Sequence, residues 1–223
     1  KKVTFRGLNA SFLEIFEVTQ LNSLIQTLNN DSEGNIFRSQ YALERAVINN
    51  SSVNHSGGGE IENSSSWAKP VPALYINWIV PSEARNLNVV GRKAVGPVNG
   101  FGALWQKTYR LYIRESDINP DMVVKAMKEN FPSFQPSYNR FYPSPSGIAP
   151  GEIVLIDSMT PGGPVSTGVM VMYSDDLSFT SVTPQGHPES GWVSFSDYSE
   201  GDRTVAQICG VARAGDPMFE AAF

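Results

Sequence analysis

The residues best suited to chemistry in this sequence lie in the stretch TPQGHPESGW, residues 183–192, which contains His187. A histidine titrates close to neutral pH, so His187 is a candidate general acid or base. Asp157 or Asp197 could accompany it, and one of many serines could act as a nucleophile. The flanking Gly and Pro are equally typical of a connection between two strands. Three roles therefore stay open for His187: a structural turn residue, a hydrogen-bonding group at the rim of a ligand pocket, or a catalytic group.

Other catalytic and metal-binding patterns are missing from the sequence. GWVSFS lacks the second Gly of a Gly-x-Ser-x-Gly nucleophile elbow. The single cysteine, Cys209, falls in a predicted strand, where a thiol packs as a small apolar group. The other histidine, His55, lies in a polar loop, so a His/Cys metal site is not expected. We therefore assign no catalytic residue, no metal ligand and no cofactor from the sequence, and we leave enzymatic activity undecided.

The elements that must position His187 are strands. Five apolar runs follow one another at hairpin spacing: EIVLIDSM, TGVMVMYSD, LSFTSVT, GWVSFSDYS and TVAQICGVAR. A further strand is predicted in WQKTYRLYIRE, residues 105–115, and residues 136–151 are predicted to be loop. INPDMVVKAMKENFP predicts a helix, because Asn119 suits the N-cap and Pro120 the first helical position. This order predicts an α+β domain with one antiparallel sheet of about six strands.

Alternation along the strands predicts which side chains share a face. Ala206, Ile208, Gly210 and Ala212 point the same way, and small residues in such a row leave volume for a ligand or for a closely packed helix. The candidate walls of a ligand pocket are Trp105, Tyr109, Phe179, His187, Trp192 and Phe195.

Several motifs in the second half of the chain point to a known family. WQKTY, followed by INP at the start of a helix that ends near NFPSF, resembles the opening of the helix-grip superfamily. This is the START-like group, which includes birch-pollen-type allergens and polyketide cyclase-like proteins. The stretches GVMVMYSDDLSFTSVTPQGHPESGWVSFS and VAQICGVARAGDPMFE are similar to a bacterial family of that superfamily, in which a Gly-His-Pro element precedes a Gly-aromatic-x-x-Phe strand.

The resemblance covers about residues 100–223. It implies an antiparallel sheet curved around a long C-terminal helix, with an apolar cavity between them. The sequence departs from this pattern at GDPMFEAAF, which holds only one or two turns of helix. The N-terminal helices could then supply the cover over the sheet.

The first part of the chain differs in character. SFLEIFEVTQLNSLIQTLNN and RSQYALERAVI predict two helices within residues 1–50. Residues 51–66 are rich in Ser, Asn and Gly and predict a flexible linker. We therefore expect an N-terminal helical extension, this linker, and a START-like domain over residues 67–223.

Composition limits the partners that the sequence can have. The net charge is −5, so no basic surface for nucleic acid is expected. No apolar run approaches the ~20 residues that cross a bilayer, and a lone cysteine is typical of a reducing compartment, which predicts a soluble, cytoplasmic protein. We interpret the chain as a protein that binds a small apolar or amphipathic molecule, such as a lipid. The alternatives are a cyclase- or hydrolase-type enzyme that uses His187 and an interaction module formed by the N-terminal helices; no oligomeric state is indicated.

Overall fold

The computed structural model describes residues 64–85, 88–113, 118–135, 138–160 and 163–220. The helices predicted within residues 1–50 and most of the predicted linker lie outside these ranges. The last three linker residues, Ser64–Ser66, form a 3₁₀ helix, and Ser66 is buried. None of the helices in these ranges has the length and apolar content needed to cross a membrane.

Eight strands form one antiparallel sheet in the described part of the chain. Strands β1 to β8 cover Ala94–Val95, Phe101–Ile113, Asn139–Pro143, Ile153–Thr160, Gly163–Ser174, Ser178–Pro184, Glu189–Glu200 and Arg203–Ala214. The sheet order is β2-β8-β7-β6-β5-β4-β3, and the short β1 pairs with β6. Strands β3 to β8 therefore follow one another as a meander, and β2 pairs with the last of them.

The predicted α+β fold, with one antiparallel sheet and a helix packed against it, is confirmed for the described residues. All five strands of the predicted meander are present. The prediction of loop over residues 136–151 is wrong for Asn139–Pro143, which pairs along β4. This strand lies at the edge of the sheet and ends on a proline, a position where the missing N–H costs no ladder hydrogen bond.

The helix α1, Pro120–Glu129, begins where the sequence predicts it. Asn119 is its N-cap residue and Pro120 occupies its first position. Val123 and Met127 of α1 and Phe131 just after it form a buried apolar stripe. After Glu129 the chain tightens into a 3₁₀ helix, Phe131–Phe134, which extends the apolar cover over the sheet.

The ring of Phe131 is the centre of the core on the α1 side of the sheet. It makes edge-to-face contacts with the rings of Phe141, Phe179 and Phe195, at centroid distances of 5.4, 5.7 and 5.5 Å. Phe179 and Phe195 are stacked, with centroids 4.5 Å apart. Such aromatic pairs add about 0.5–1.5 kcal/mol each beyond the burial of their area. This cluster fixes α1 against the middle of the sheet.

The opposite face of the sheet is covered by the irregular segment that precedes β1. Leu74 and Val89 of this segment pack with Leu155, Met170 and Val182 of the sheet. Because both faces are covered, the first half of β4, residues 153–156, is a continuous apolar run rather than an alternating one.

Within the described residues, the long C-terminal helix implied by the resemblance is represented only by α2, Pro217–Glu220. Its start is capped by Asp216, whose Oδ1 accepts hydrogen bonds from the backbone N–H groups of Met218 and Phe219 at 2.8 and 2.9 Å. The cover on the cavity side of the described sheet therefore comes mainly from α1 and the 3₁₀ helix that follows it.

Candidate ligand cavity

Small residues on β8 leave a cavity on the α1 side of the sheet. In the β7–β8 register Gly210 faces Val193, and Ala212 faces Gly191. None of these four side chains is large enough to fill the space above the strands, whereas the next pair toward α1 is Phe195 with Ile208. The sheet is therefore densely packed under α1, and space is left above it toward the start of β7 and the end of β8.

The cavity has a volume of about 70 Å³ and is open to solvent on one side. Its apolar walls include Phe131, Phe141, Ile156, Val169, Phe195 and Ile208. Trp105 also borders it and is 46% exposed. The enclosed part therefore accepts a slender apolar group, and a larger molecule must extend into the open part.

Polar side chains enter the cavity on the side of the turn between β6 and β7. They are Lys107, Ser181, Thr183, His187 and Glu189. The hydroxyl of Thr183 accepts a hydrogen bond from Gly191 N–H at 2.9 Å and lies 3.2 Å from the Gly191 carbonyl oxygen. The cavity is thus apolar along most of its length and polar toward this turn.

Close backbone packing places His187 in the interior. His187 donates its N–H to the carbonyl oxygen of Pro184 at 3.2 Å, and Gly186 within this turn has a φ of 84°, a conformation that favours glycine. Gly215, just after β8, donates its N–H to the carbonyl oxygen of Pro188 at 2.6 Å. His187 is consequently only 2% exposed. The segment after β8 covers His187, and the sequence alone did not decide whether this residue is buried or exposed.

The imidazole of His187 is held by the backbone of Glu189. The Glu189 N–H donates to Nδ1 at 3.0 Å, and the Glu189 carbonyl oxygen lies 3.1 Å from the same nitrogen. Burial lowers the pKa of His187 to about 4, and the carbonyl oxygen opposes this shift. The ring is therefore neutral at pH 7. Nδ1 accepts from the Glu189 N–H when the ring proton is on Nε2, and donates to the Glu189 carbonyl oxygen when the proton is on Nδ1.

Glu189 is the second titratable group at this end of the cavity. It is 8% exposed, and its Oε1 has no hydrogen-bond partner among the described residues. Burial raises the pKa of Glu189 to about 7, and the charge of Lys107 opposes this shift. A carboxyl group with such a pKa exchanges its proton near neutral pH, a property common among functional carboxyl groups in clefts.

His187 and Glu189 also border a second cavity of about 250 Å³. Its other lining residues are Val95, Asn99, Pro184, Gln185, Gly186, Ser190 and Gly215. This second cavity is bordered mainly by polar side chains and backbone. The pair His187 and Glu189 therefore lies where an apolar cavity and a polar cavity meet.

Four of the six predicted wall residues border the apolar cavity: Trp105, His187, Trp192 and Phe195. The ring of Trp192 nevertheless lies on the other face of the sheet, because Trp192 pairs with Val182, which packs in the cluster around Leu74 and Val89. Ligand binding by these residues stays a prediction.

The other two predicted wall residues, Tyr109 and Phe179, do not border the cavity. They lie in the same row across the sheet as Phe195 and Ile208, next to α1. Phe179 is fully buried by its stacking on Phe195. The sequence pattern shows which face these side chains share, but α1 decides which of them face open space.

Sequence reasoning missed Glu189, although a signal was present. Glu189, Gly191, Val193 and Phe195 alternate along β7 and therefore share one face. The two aspartates considered as partners of His187, Asp157 and Asp197, border neither cavity. Among the described residues, no three His, Cys, Asp or Glu side chains are grouped so that they could hold a metal ion.

The sequence matches no family model and no curated protein. Two solved structures are similar to it in fold. Ara h 8.0201 matches 50% of this chain and 79% of its own, with 10% identity and a TM-score of 0.36. The di-domain ARO/CYC protein StfQ from the steffimycin biosynthetic pathway matches 53% of this chain and 38% of its own, with 11% identity and a TM-score of 0.39.

Proposed function

We propose that this chain binds a small apolar or amphipathic molecule, such as a lipid, in the cavity between the sheet and α1. The observation that carries the proposal is the cavity itself, which has walls of aromatic and aliphatic side chains and a few polar groups at one end. Ligand sites typically have this composition, because apolar walls supply affinity and a small number of polar groups set orientation.

A variant that fills the cavity tests this proposal. Ala212 borders the cavity, so Ala212→Phe adds a ring to the space that the ligand would occupy. Val211→Phe is the matched control, because its side chain points to the other face of β8. Native mass spectrometry of freshly purified protein, and calorimetric titration with the ten-carbon probes 2-decanone and decanoate, measure occupancy.

We expect a bound apolar mass, or uptake of at least one probe, in the natural sequence and in Val211→Phe. Binding by Ala212→Phe should fall at least tenfold while its melting transition stays cooperative. If no bound mass is found and neither probe binds, or if Ala212→Phe binds as well as the control, the cavity is not the ligand site.

A second candidate is an acid–base enzyme of the cyclase or hydrolase type. The observation that favours it is the buried pair of proton-exchanging groups beside the cavity, although Glu189, with a pKa of about 7, is better matched to neutral pH than His187. Proton exchange at carbon is a direct test. If Glu189 removes and returns a proton beside a bound carbonyl, 2-decanone in deuterated water should gain deuterium faster with the natural protein than with Glu189→Gln, and equal rates would reject this role.

A further inference from the structure

We propose that Glu189 selects the ligand's polar group, so that the cavity takes apolar molecules carrying an uncharged carbonyl or hydroxyl oxygen in preference to molecules ending in a carboxylate. This inference rests on the proposed binding function and specifies its ligand class. It is carried by the position of Glu189 at the junction of the two cavities and by its unpaired oxygen.

The Glu189 side chain is held in one place by the structure around it. Its own backbone N–H and carbonyl oxygen both lie within hydrogen-bond distance of Nδ1 of the His187 ring, and β7 pairs with β8 through Glu189 and Ala214. Glu189 is more than nine-tenths buried, yet its Oε1 has no hydrogen-bond partner among the described residues. A buried polar atom without a partner costs about as much as a lost hydrogen bond, so a ligand group that pairs with it gains affinity.

The other charged groups nearby are few. On β2, Lys107 borders the apolar cavity, and in the turn His187 is neutral at pH 7. Arg213 on β8 points away from the face that holds Ala212. Lys93 before β1, and Asp216 and Glu220 after β8, border neither cavity.

The protonation state of Glu189 determines which ligand group it recognises. Burial raises its pKa to about 7, so below neutral pH the carboxyl group is mostly protonated and can donate a hydrogen bond to a carbonyl oxygen. A ligand carboxylate would lose its water in the same apolar space, and beside an ionised Glu189 it would also meet a like charge. Lys107 is the group that could reverse this preference by attracting a carboxylate.

Calorimetric titration with 2-decanone and decanoate at pH 6 and pH 8.5 tests the inference, because the two probes have the same carbon number and differ in charge. At pH 6 we expect 2-decanone to bind the natural protein at least tenfold more tightly than decanoate. Raising the pH to 8.5 removes the Glu189 proton and should weaken 2-decanone binding roughly 2- to 10-fold, the value of one neutral hydrogen bond. In Glu189→Gln, whose amide donates at both pH values, the affinity for 2-decanone should not change with pH.

Decanoate could bind the natural protein at pH 6 as tightly as 2-decanone or more tightly, and lose this binding in Lys107→Met. That result would show that Lys107, rather than Glu189, recognises the polar group of the ligand, and it would overturn the inference. A 2-decanone affinity that is unchanged between pH 6 and pH 8.5 in the natural protein would overturn it as well, whether or not the Gln variant folds. Failure of both probes to bind, or binding that Ala212→Phe does not weaken, would instead reject the binding function itself.

Discussion

Glu189 donates its backbone N–H to Nδ1 of His187 over 3.0 Å. This hydrogen bond links a residue with a buried basic side chain, His187, to a residue with a buried acidic side chain, Glu189. Burial shifts their pKa values in opposite directions, to about 4 for His187 and to about 7 for Glu189. Both groups are therefore neutral over a common range of pH. Their effects on stability oppose each other as the pH changes.

Replacing Glu189 should reveal the loss of stability that His187 causes as the pH falls. The pKa of His187 is lower in the folded chain than its ordinary value of 6.5, so its contribution to stability is present above pH 6.5 and is lost as the pH falls toward 4. At about 1.4 kcal/mol per pKa unit, the full loss is roughly 3 kcal/mol. We expect the melting temperature of Glu189→Gln, measured by circular dichroism, to fall by several degrees more than that of the natural protein between pH 6.5 and pH 4.5.

Replacing His187 should reveal the loss of stability that Glu189 causes as the pH rises. The pKa of Glu189 is higher in the folded chain than its ordinary value of 4.5, so its contribution to stability is complete below pH 4.5 and is lost as the pH rises to 7. His187→Asn keeps an acceptor for the Glu189 N–H. Its melting temperature should fall by several degrees between pH 4.5 and pH 7, relative to the natural protein. Parallel curves for both variants and the natural protein would mean that neither group titrates abnormally.

Asp197 gives an independent pH effect in the core. It is fully buried, and neither carboxyl oxygen has a hydrogen-bond partner among the described residues. Burial raises its pKa well above the usual value of 3.8, so stability is lost as the pH rises above that value. We expect Asp197→Asn to fall less in melting temperature than the natural protein between pH 4 and pH 7. Asp202→Asn, at a side chain that is 93% exposed, is the control and should follow the natural protein.

Gly215 is required for the cover over His187. A Cβ at this position would lie 1.9 Å from the His187 carbonyl oxygen, so Gly215→Ala must displace the segment after β8. We expect a loss of about 1–3 kcal/mol in the free energy of unfolding, measured by urea denaturation. Gly96→Ala is the control, because its Cβ would make an ordinary contact of 3.4 Å with Trp192. A loss no greater than that of the control would show that the turn and the end of β8 move apart freely.

Phe179 and Phe195 are stacked but should behave differently. Phe179 is fully buried and does not border the cavity, whereas Phe195 does. Phe179→Leu should lower the free energy of unfolding by about 1–3 kcal/mol and leave the affinity for 2-decanone within about twofold. Phe195→Leu should lower both stability and affinity. A large loss of affinity in Phe179→Leu, with stability retained, would place Phe179 in the ligand site after all.

Much of the fold could be predicted because its signals are local. Asn119 and Pro120 mark the start of α1 by capping and proline geometry, and the five strands of the meander are visible from short apolar runs. The edge strand Asn139–Pro143 was missed because its five residues lie among prolines and show little alternation. Its pairing with β4 arises from the fold rather than from its own composition.

The sequence by itself determined the order of elements, the antiparallel sheet and the face on which Gly210 and Ala212 leave space. Alternation and helix punctuation depend on neighbours in the chain, so these features are readable without a structure. Only the tertiary structure decided that His187 is buried, that Phe179 belongs to the core and that Glu189 has a pKa near 7. Desolvation of a side chain depends on segments that are distant in sequence, here Ala214 of β8, which pairs with Glu189, and Gly215, which packs on the backbone of His187. No local pattern around Glu189 encodes their approach.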